Sequence, residues 1–297
     1  MTRQTDLALT ALAPAIWGST YIVTTELLPP DHPLGMAMLR ALPAGLLLIL
    51  LLRQMPPRRW LGRIFLLGAL NFTLFWGFLF LAAYRLPGGV AATLGAVQPL
   101  FVLFLSRALL GSATPPVAIL AALAGIGGVG LLVLSPEAQL DPVGIAAGLG
   151  GAASMALGMV LSRRWTPPVS ALTFTAWQLA AGGLLLLPLA LWLEPPLPAL
   201  DRGALIGLLW LGLAGAVLTY AIWFRGLARL GPASLSVLGF VSPLSAVLLG
   251  WAIAGQTLSP QQIIGAATVL GSVWLGQWAL RPAPARPAPQ PAPLRAA

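Results

Sequence analysis

Apolar residues in this chain run in unbroken stretches of about 20, the length a helix needs to cross roughly 30 Å of hydrocarbon. Flanking Arg, Pro and acidic residues delimit ten such stretches, at 7–26, 34–52, 63–83, 90–110, 116–134, 142–161, 169–192, 203–224, 232–254 and 260–280. The joints between them are short and several carry helix breakers, among them Pro29-Pro30, Pro56-Pro57, Pro87-Gly88-Gly89, Pro115-Pro116, Pro167-Pro168, Pro195-Pro196 and Gly231-Pro232. The pattern predicts an all-α integral membrane protein of ten transmembrane helices.

Composition agrees with that reading. Hydrophobic residues make up 58% of the 297 positions and charged residues 8%, too few polar groups to cover a soluble globule. The net charge of +9 would suggest a nucleic acid or other acidic partner in a soluble protein, but here position decides its meaning. Every basic residue is arginine. With ten spans, one side of the membrane receives Arg3, Arg53, Arg58, Arg59, Arg63, Arg107, Arg163, Arg164, Arg225, Arg229, Arg281, Arg286 and Arg295. The other receives Arg85 and Arg202 together with Glu26, Asp31, Glu137, Asp141, Glu194 and Asp201. Positive charge stays inside, so both termini are expected in the cytoplasm, and nucleic-acid binding is not expected. Cysteine is absent, which removes disulfides, thiolate metal sites and thiol nucleophiles. The stretch from Leu7 lacks a cleavage site followed by soluble sequence and reads as a retained first helix. After Leu280 a Pro/Ala tail has no periodicity with which to bury a face.

The chain also resembles itself. A shift of 144 residues lays 84–131 over 228–275 without a gap, RLPGGVAATLGAVQPLFVLFLSRALLG over RLGPASLSVLGFVSPLSAVLLGWAIAG. A shift of 138 lays LRALPAGLLL from Leu39 over WQLAAGGLLL from Trp177. Two repeats of five spans are predicted, 1–138 and 139–280, followed by the cytoplasmic tail 281–297. An odd number of spans per repeat inverts the second copy in the bilayer, an architecture common in secondary transporters. Duplication without mechanistic meaning is the alternative.

WGST at Trp17–Thr20, Arg40 within MLRALPAG, and the LGAVQPLF and LGFVSPLS segments give the chain its likeness to a known family. Together with the duplicated ten-helix layout, they resemble the EamA type of the drug/metabolite transporter superfamily over residues 7–280, most similar to the YddG-like bacterial amino-acid exporters. The resemblance implies a bacterial inner-membrane exporter of small amphipathic metabolites, neutral or aromatic amino acids, with alternating access to a central cavity. It also implies a functional or cavity-organising role for the basic residue Arg40.

Polar groups within the spans need partners in a bilayer core and so mark candidate sites. Pro99 and Pro243 lack an N–H, depriving the carbonyls of Gly95 and Gly239 of their helical donors, with Gln98 and Ser242 just before them. They predict paired kinks or hinges around a pathway, or bends that serve packing alone. Phe72, Trp76, Phe80 and Tyr84 share one helical face, and the 144-residue shift sets Trp76 over Tyr220 and Phe80 over Phe224. Such rings suit a cavity for amphipathic solutes, or a lipid-facing belt. Trp17, Ser19, Thr20, Tyr21, Asn71 and Gln178 complete the polar set; Arg40 aligns with Gln178 and fits either snorkelling or pairing with a substrate carboxylate. The expected lining is Trp17, Thr20, Tyr21, Arg40, Asn71, Trp76, Phe80, Gln98, Gln178, Tyr220 and Ser242.

No Asp or Glu falls in the middle of a span, and His32, the one histidine, lies in a loop. An intramembrane enzyme would lack an acid–base or metal constellation, so catalysis, cofactors and metals are not expected. No phosphate-binding loop is present for ATP drive. A transporter is therefore expected, with a small-molecule substrate and the bilayer as partners. A channel-like or structural membrane component, or a carrier of drugs, nucleosides or sugar derivatives, stays open. Oligomeric state is open too, a monomer being compatible.

Overall fold

Helix ends are set locally, and the residues that set them are visible in the sequence. Pro33, Pro116, Pro142 and Pro260 each open a helix at the position where a missing N–H is harmless. Asp141, Ser170 and Asp201 accept hydrogen bonds from the first free amides of the helices that follow them. Gly111, at φ 66°, supplies the left-handed turn that ends another.

The computed structural model describes residues 3–111, 115–133, 141–165, 167–230, 238–239 and 241–279. No strand occurs among them, and the helices fall end to end into rods. In chain order these are α1 (Arg3–Gly18 continued by Thr20–Leu27), α2 (Pro33–Leu52), α3 (Leu61–Gly68, Ala69–Leu74 and Phe75–Arg85) and α4 (Gly88–Gly95 and Gln98–Leu110). They continue as α5 (Pro116–Val133), α6 (Pro142–Arg164), α7 (Ala171–Leu193), α8 (Arg202–Leu209, Trp210–Leu218 and Thr219–Leu230), α9 (Val241–Ala254) and α10 (Pro260–Ala279). Among the described residues, 7 helices are long and apolar enough to cross a membrane; Pro116–Leu131 and Val241–Ala254 are shorter apolar helices. The expected tail, Glu137 and the Gly231-Pro232 joint lie outside the described residues. Large apolar side chains point outward, Leu191 being 77% and Trp192 88% exposed, as a lipid-facing surface requires.

Within the bundle, small residues let backbones touch. In lipid there is little hydrophobic drive between helices, so close van der Waals packing holds them together. A methyl added at Gly45 of α2 would lie 2.4 Å from the Ala180 amide nitrogen of α7, and one added at Gly183 of α7 would lie 2.6 Å from Leu42 Cα of α2. The contact is reciprocal under the 138-residue shift, which carries Gly45 to Gly183 and Leu42 to Ala180. α5 meets α10 in a similar way at Gly125 and Gly128. α3 packs along α6 as α8 does along α1, and α4 crosses α9.

Two helices leave the α register at matching places. Ala69–Leu74 in α3 and Trp210–Leu218 in α8 are π-helical, and the 144-residue shift maps 69–74 onto 213–218. α4 is interrupted at Ala96–Val97 rather than kinked at Pro99, because the chain turns before Gln98 and Pro99 falls in the first turn of a new helix.

Candidate substrate site

The π segment of α8 explains where Arg40 ends up. At its end the Thr219 amide donates to Ala214 O, five residues back, and to Ala216 O, three back, rather than to Gly215 O, four back. The Gly215 carbonyl instead accepts from two side chains of the other half, Trp17 Nε1 at 3.1 Å and Arg40 Nη2 at 3.1 Å. Trp17 Nε1 also reaches Thr219 Oγ1 at 3.0 Å. Arg40 Nη1 donates to Thr20 Oγ1 at 3.3 Å, and the guanidinium carbon lies 4.3 Å from the Trp76 ring centroid. Arg40 is 3% exposed, so it does not snorkel to a surface. Its Nε has no hydrogen-bond partner, and no carboxylate among the described residues pairs with it.

Aromatic rings continue from this point. Trp17 stands 5.9 Å from Tyr220 and 5.2 Å from Trp223; Phe72 stands 5.3 Å from Trp76 and 6.2 Å from Tyr220, and Tyr220 6.3 Å from Phe224. Edge and tilted arrangements of this kind bring ring edges, which are positive, to faces, which are negative. The site is a buried cation set among rings contributed by α1, α3 and α8.

A neutral counterpart occupies the other half. Asn71, in the π segment of α3, donates from Nδ2 to Gln178 Oε1 at 2.7 Å and to Ser162 Oγ at 3.4 Å. The carbonyl of Leu70 next to it accepts from Ser154 Oγ of α6 at 2.8 Å. Gln178 is the shift-138 equivalent of Arg40, and Gly215 the shift-144 equivalent of Asn71. Each pairing of a residue on α2 or α7 with a π segment thus recurs once, charged in one copy and uncharged in the other.

The remaining expected residues divide. Phe80 is wholly buried with Met36 and Leu28 in the core around α2, and Tyr21 is buried with Ala82, Val90 and Ala246. Tyr84 turns its hydroxyl to Pro29 O at 2.8 Å. Gln98 faces α6, where Nε2 lies 4.0 Å from Met159 Sδ. Ser242 sits against α1, its carbonyl 2.4 Å from a methyl built on Gly18. The Gly239 carbonyl is not left open by Pro243, since the Ser242 amide donates to it at 3.2 Å.

Ion pairs join helices at the two ends of the bundle. Asp6 at the start of α1 accepts from Arg225 Nη2 at 2.8 Å and Arg229 Nη1 at 3.4 Å near the end of α8. At the opposite end Arg85 of α3 meets Asp141, which precedes α6, at 2.6 Å. The Arg85 hydrogen bond holds the Asp141 carboxyl below the usual carboxylate range, helped by the Val143 amide. Arg85 and Arg229 are 144 residues apart, a signal in the sequence that loop charges read only for sidedness do not reveal. A cavity of about 620 Å³ lies at the Arg85 end between α3 and α7, bordered by Thr73, Gly77, Phe78, Tyr84 and Glu194, and does not reach Arg40.

The model of the EamA-like transporter family matches twice, at residues 5–134 and 142–276. The chain is 45% identical over 267 residues to protein PecM of Dickeya dadantii, covering 89% of this chain and 90% of that one. It is 33% identical over 267 residues to the uncharacterized inner membrane transporter YedA of Escherichia coli K12, covering 88% and 86%. A crystallised protein of 19% identity superposes with a TM-score of 0.62 over 92% of this chain and 96% of its own, a likeness of fold. The chain belongs to the EamA-like transporter family of the drug/metabolite transporter superfamily: it is a multi-pass membrane transporter with bacterial inner-membrane relatives.

Proposed function

We propose that this transporter exports small amphipathic metabolites, neutral or aromatic amino acids, from the cytoplasm by alternating access between two inverted five-helix repeats. The observation that carries the substrate class is Arg40: a buried guanidinium without a carboxylate, stacked on Trp76 beside Trp17 and Tyr220. A guanidinium presents parallel N–H groups that fit a carboxylate, and the rings offer an apolar body with hydrogen-bonding tips to the rest of the solute. Trp17, Thr20, Tyr21, Trp76, Tyr220 and the Asn71–Gln178 pair are the proposed lining, with Phe80, Gln98 and Ser242 behind or beside it. Hinges are assigned to Gly95 and Pro99, around the interruption of α4, and to Gly239 and Pro243.

The inverted repeat is supported by the double family match, by the reciprocal Gly45 and Gly183 contact, and by the equivalent placing of α3 on α6 and α8 on α1. With ten spans and an arginine-rich side inward, both termini are cytoplasmic. The Asp6 contacts then close the cytoplasmic end, and the Arg85–Asp141 contact lies at the external end beside the cavity.

Counterflow in proteoliposomes, with a panel of amino acids competing for a preloaded one, tests this reading. Saturable exchange that falls in Arg40→Met and Trp76→Ala supports it. If no amino acid moves or competes, the substrate class is wrong. Flux that does not saturate would favour a channel.

A further inference from the structure

The π register of α8 has a chemical consequence. It withholds the Thr219 amide from Gly215 O and so offers that carbonyl to Arg40 and Trp17. Among the described residues, Arg40 would otherwise stand in the bilayer core with Thr20 Oγ1 as its single hydrogen-bond acceptor. We infer that the Gly215 carbonyl is a resting ligand of Arg40 that an anionic group of the substrate displaces, so that α8 detects an occupied site by exchanging its π segment for an α register. The inference rests on the proposal that Arg40 receives a substrate carboxylate.

The exchange is favourable at each end. A carboxylate forms charge-assisted bonds to guanidinium about twice as strong as neutral ones, and it can take two parallel N–H groups, including the Nε–H that now has no partner. The released Gly215 carbonyl does not stay unsatisfied in the membrane, because the Thr219 amide is four residues along, the spacing of an α-helix. Absorbing one residue of bulge turns the rest of the helix by up to about 100° and shifts it by about 1.5 Å. That part of α8 carries Tyr220 in the site and, beyond it, Arg225 and Arg229, which hold Asp6 at the end of α1. Occupancy of the centre therefore loosens the contact that shuts one end. The matching segment of α3 holds no cation: Asn71 and Gln178 pair as neutral amides. The sensing is one-sided, and it selects solutes that carry an anionic group.

Hydrogen exchange followed by mass spectrometry on the full chain in nanodiscs tests the exchange, with L-phenylalanine and its decarboxylated analogue phenethylamine as probes and equilibrium dialysis to score binding. L-Phenylalanine should slow exchange across Ala214–Tyr220 by about fivefold or more, the scale of a coupling of about 1 kcal/mol, while phenethylamine leaves it unchanged. In Arg40→Met the protection by L-phenylalanine should vanish. Binding of L-phenylalanine that requires Arg40 yet leaves exchange in this segment unaltered would overturn the inference and leave the substrate reading standing. Absence of any L-phenylalanine binding would remove both. Equal protection by phenethylamine would show that the segment responds to the ring and not to the carboxylate, which also refutes it.

Discussion

Replacing Arg40 by Met separates a structural arginine from a functional one. Two hydrogen bonds from a charged group contribute about 1.5–3 kcal/mol each, and a desolvated cation over an indole about 2 kcal/mol, so the native contacts return about 5–8 kcal/mol. Against this stands the cost of holding an ion out of water, several kcal/mol even after relaxation. The two nearly cancel. Met follows the Arg40 stem to about the position of Nε, and the Gly215 carbonyl keeps its Trp17 donor. Exchanging buried charge for a well-packed apolar side chain is commonly neutral or stabilising by about 1–4 kcal/mol. The unfolding midpoint of Arg40→Met in detergent should therefore stay at or above that of the native chain. Transport should fall about 100-fold or more, the equivalent of about 3 kcal/mol of lost carboxylate contact. A destabilisation beyond about 3 kcal/mol, or transport at the native rate, would refute this balance.

Gly158→Ala places a methyl against Asn71 Oδ1 and should cost about 1–3 kcal/mol by overpacking in the native chain, and less on an Asn71→Ala background where the opposing atom is gone, read from the unfolding midpoints of the four-member cycle. Gly45→Ala and Gly183→Ala should each destabilise the α2–α7 crossing by about 1–3 kcal/mol, and the pair together by less than the sum, since one separation of the two helices accommodates both methyls; thermal unfolding of the four-member set measures it. The folded Asp141 carboxyl titrates below its ordinary value of about 3.9, so its contacts are complete above that pH and are lost only as pH falls through the lower folded value. Amide protection at Val143 and Gly144 should accordingly stay flat from neutral down to about pH 4, and a loss beginning near pH 6 would contradict the assignment. Because the chain has no cysteine, Asp6→Cys with Arg229→Cys gives a clean crosslinking pair; a cleavable bifunctional thiol reagent long enough to replace the lost Arg229 side chain should join them and arrest transport, with recovery when the linker is cleaved.

Helix content, the membrane class and most helix ends follow from the sequence because they depend on short-range physics. A run of about 20 apolar residues has one stable form in lipid, and Pro33, Pro142, Ser170 or Asp201 fixes a helix start through its own backbone and side chain. The self-match at a shift of 144 residues is legible too, since matching Pro and Gly positions survive as text. Arg40, Trp76, Trp17 and Tyr220 can be singled out as polar or aromatic residues in apolar surroundings. What they touch cannot. Whether Arg40 reaches a surface or stays in the core depends on α8, 175 residues further along, and on a carbonyl with no side chain to advertise it. The π register that opens Gly215 O lies where α8 packs on both α1 and α2, neighbours that the local sequence does not reveal. Likewise Pro99 invites a kink, but the chain turns one step earlier and uses the proline to begin a helix. The charges of Asp6, Arg85, Asp141 and Arg229 are visible as orientation signals, and only the packing of α1 on α8 and α3 on α6 makes them contacts. Sequence determined which groups lipid would force to find partners; tertiary structure decided the partners, because a hydrogen bond reaches only about 3 Å and the residues within that reach come from distant parts of the chain.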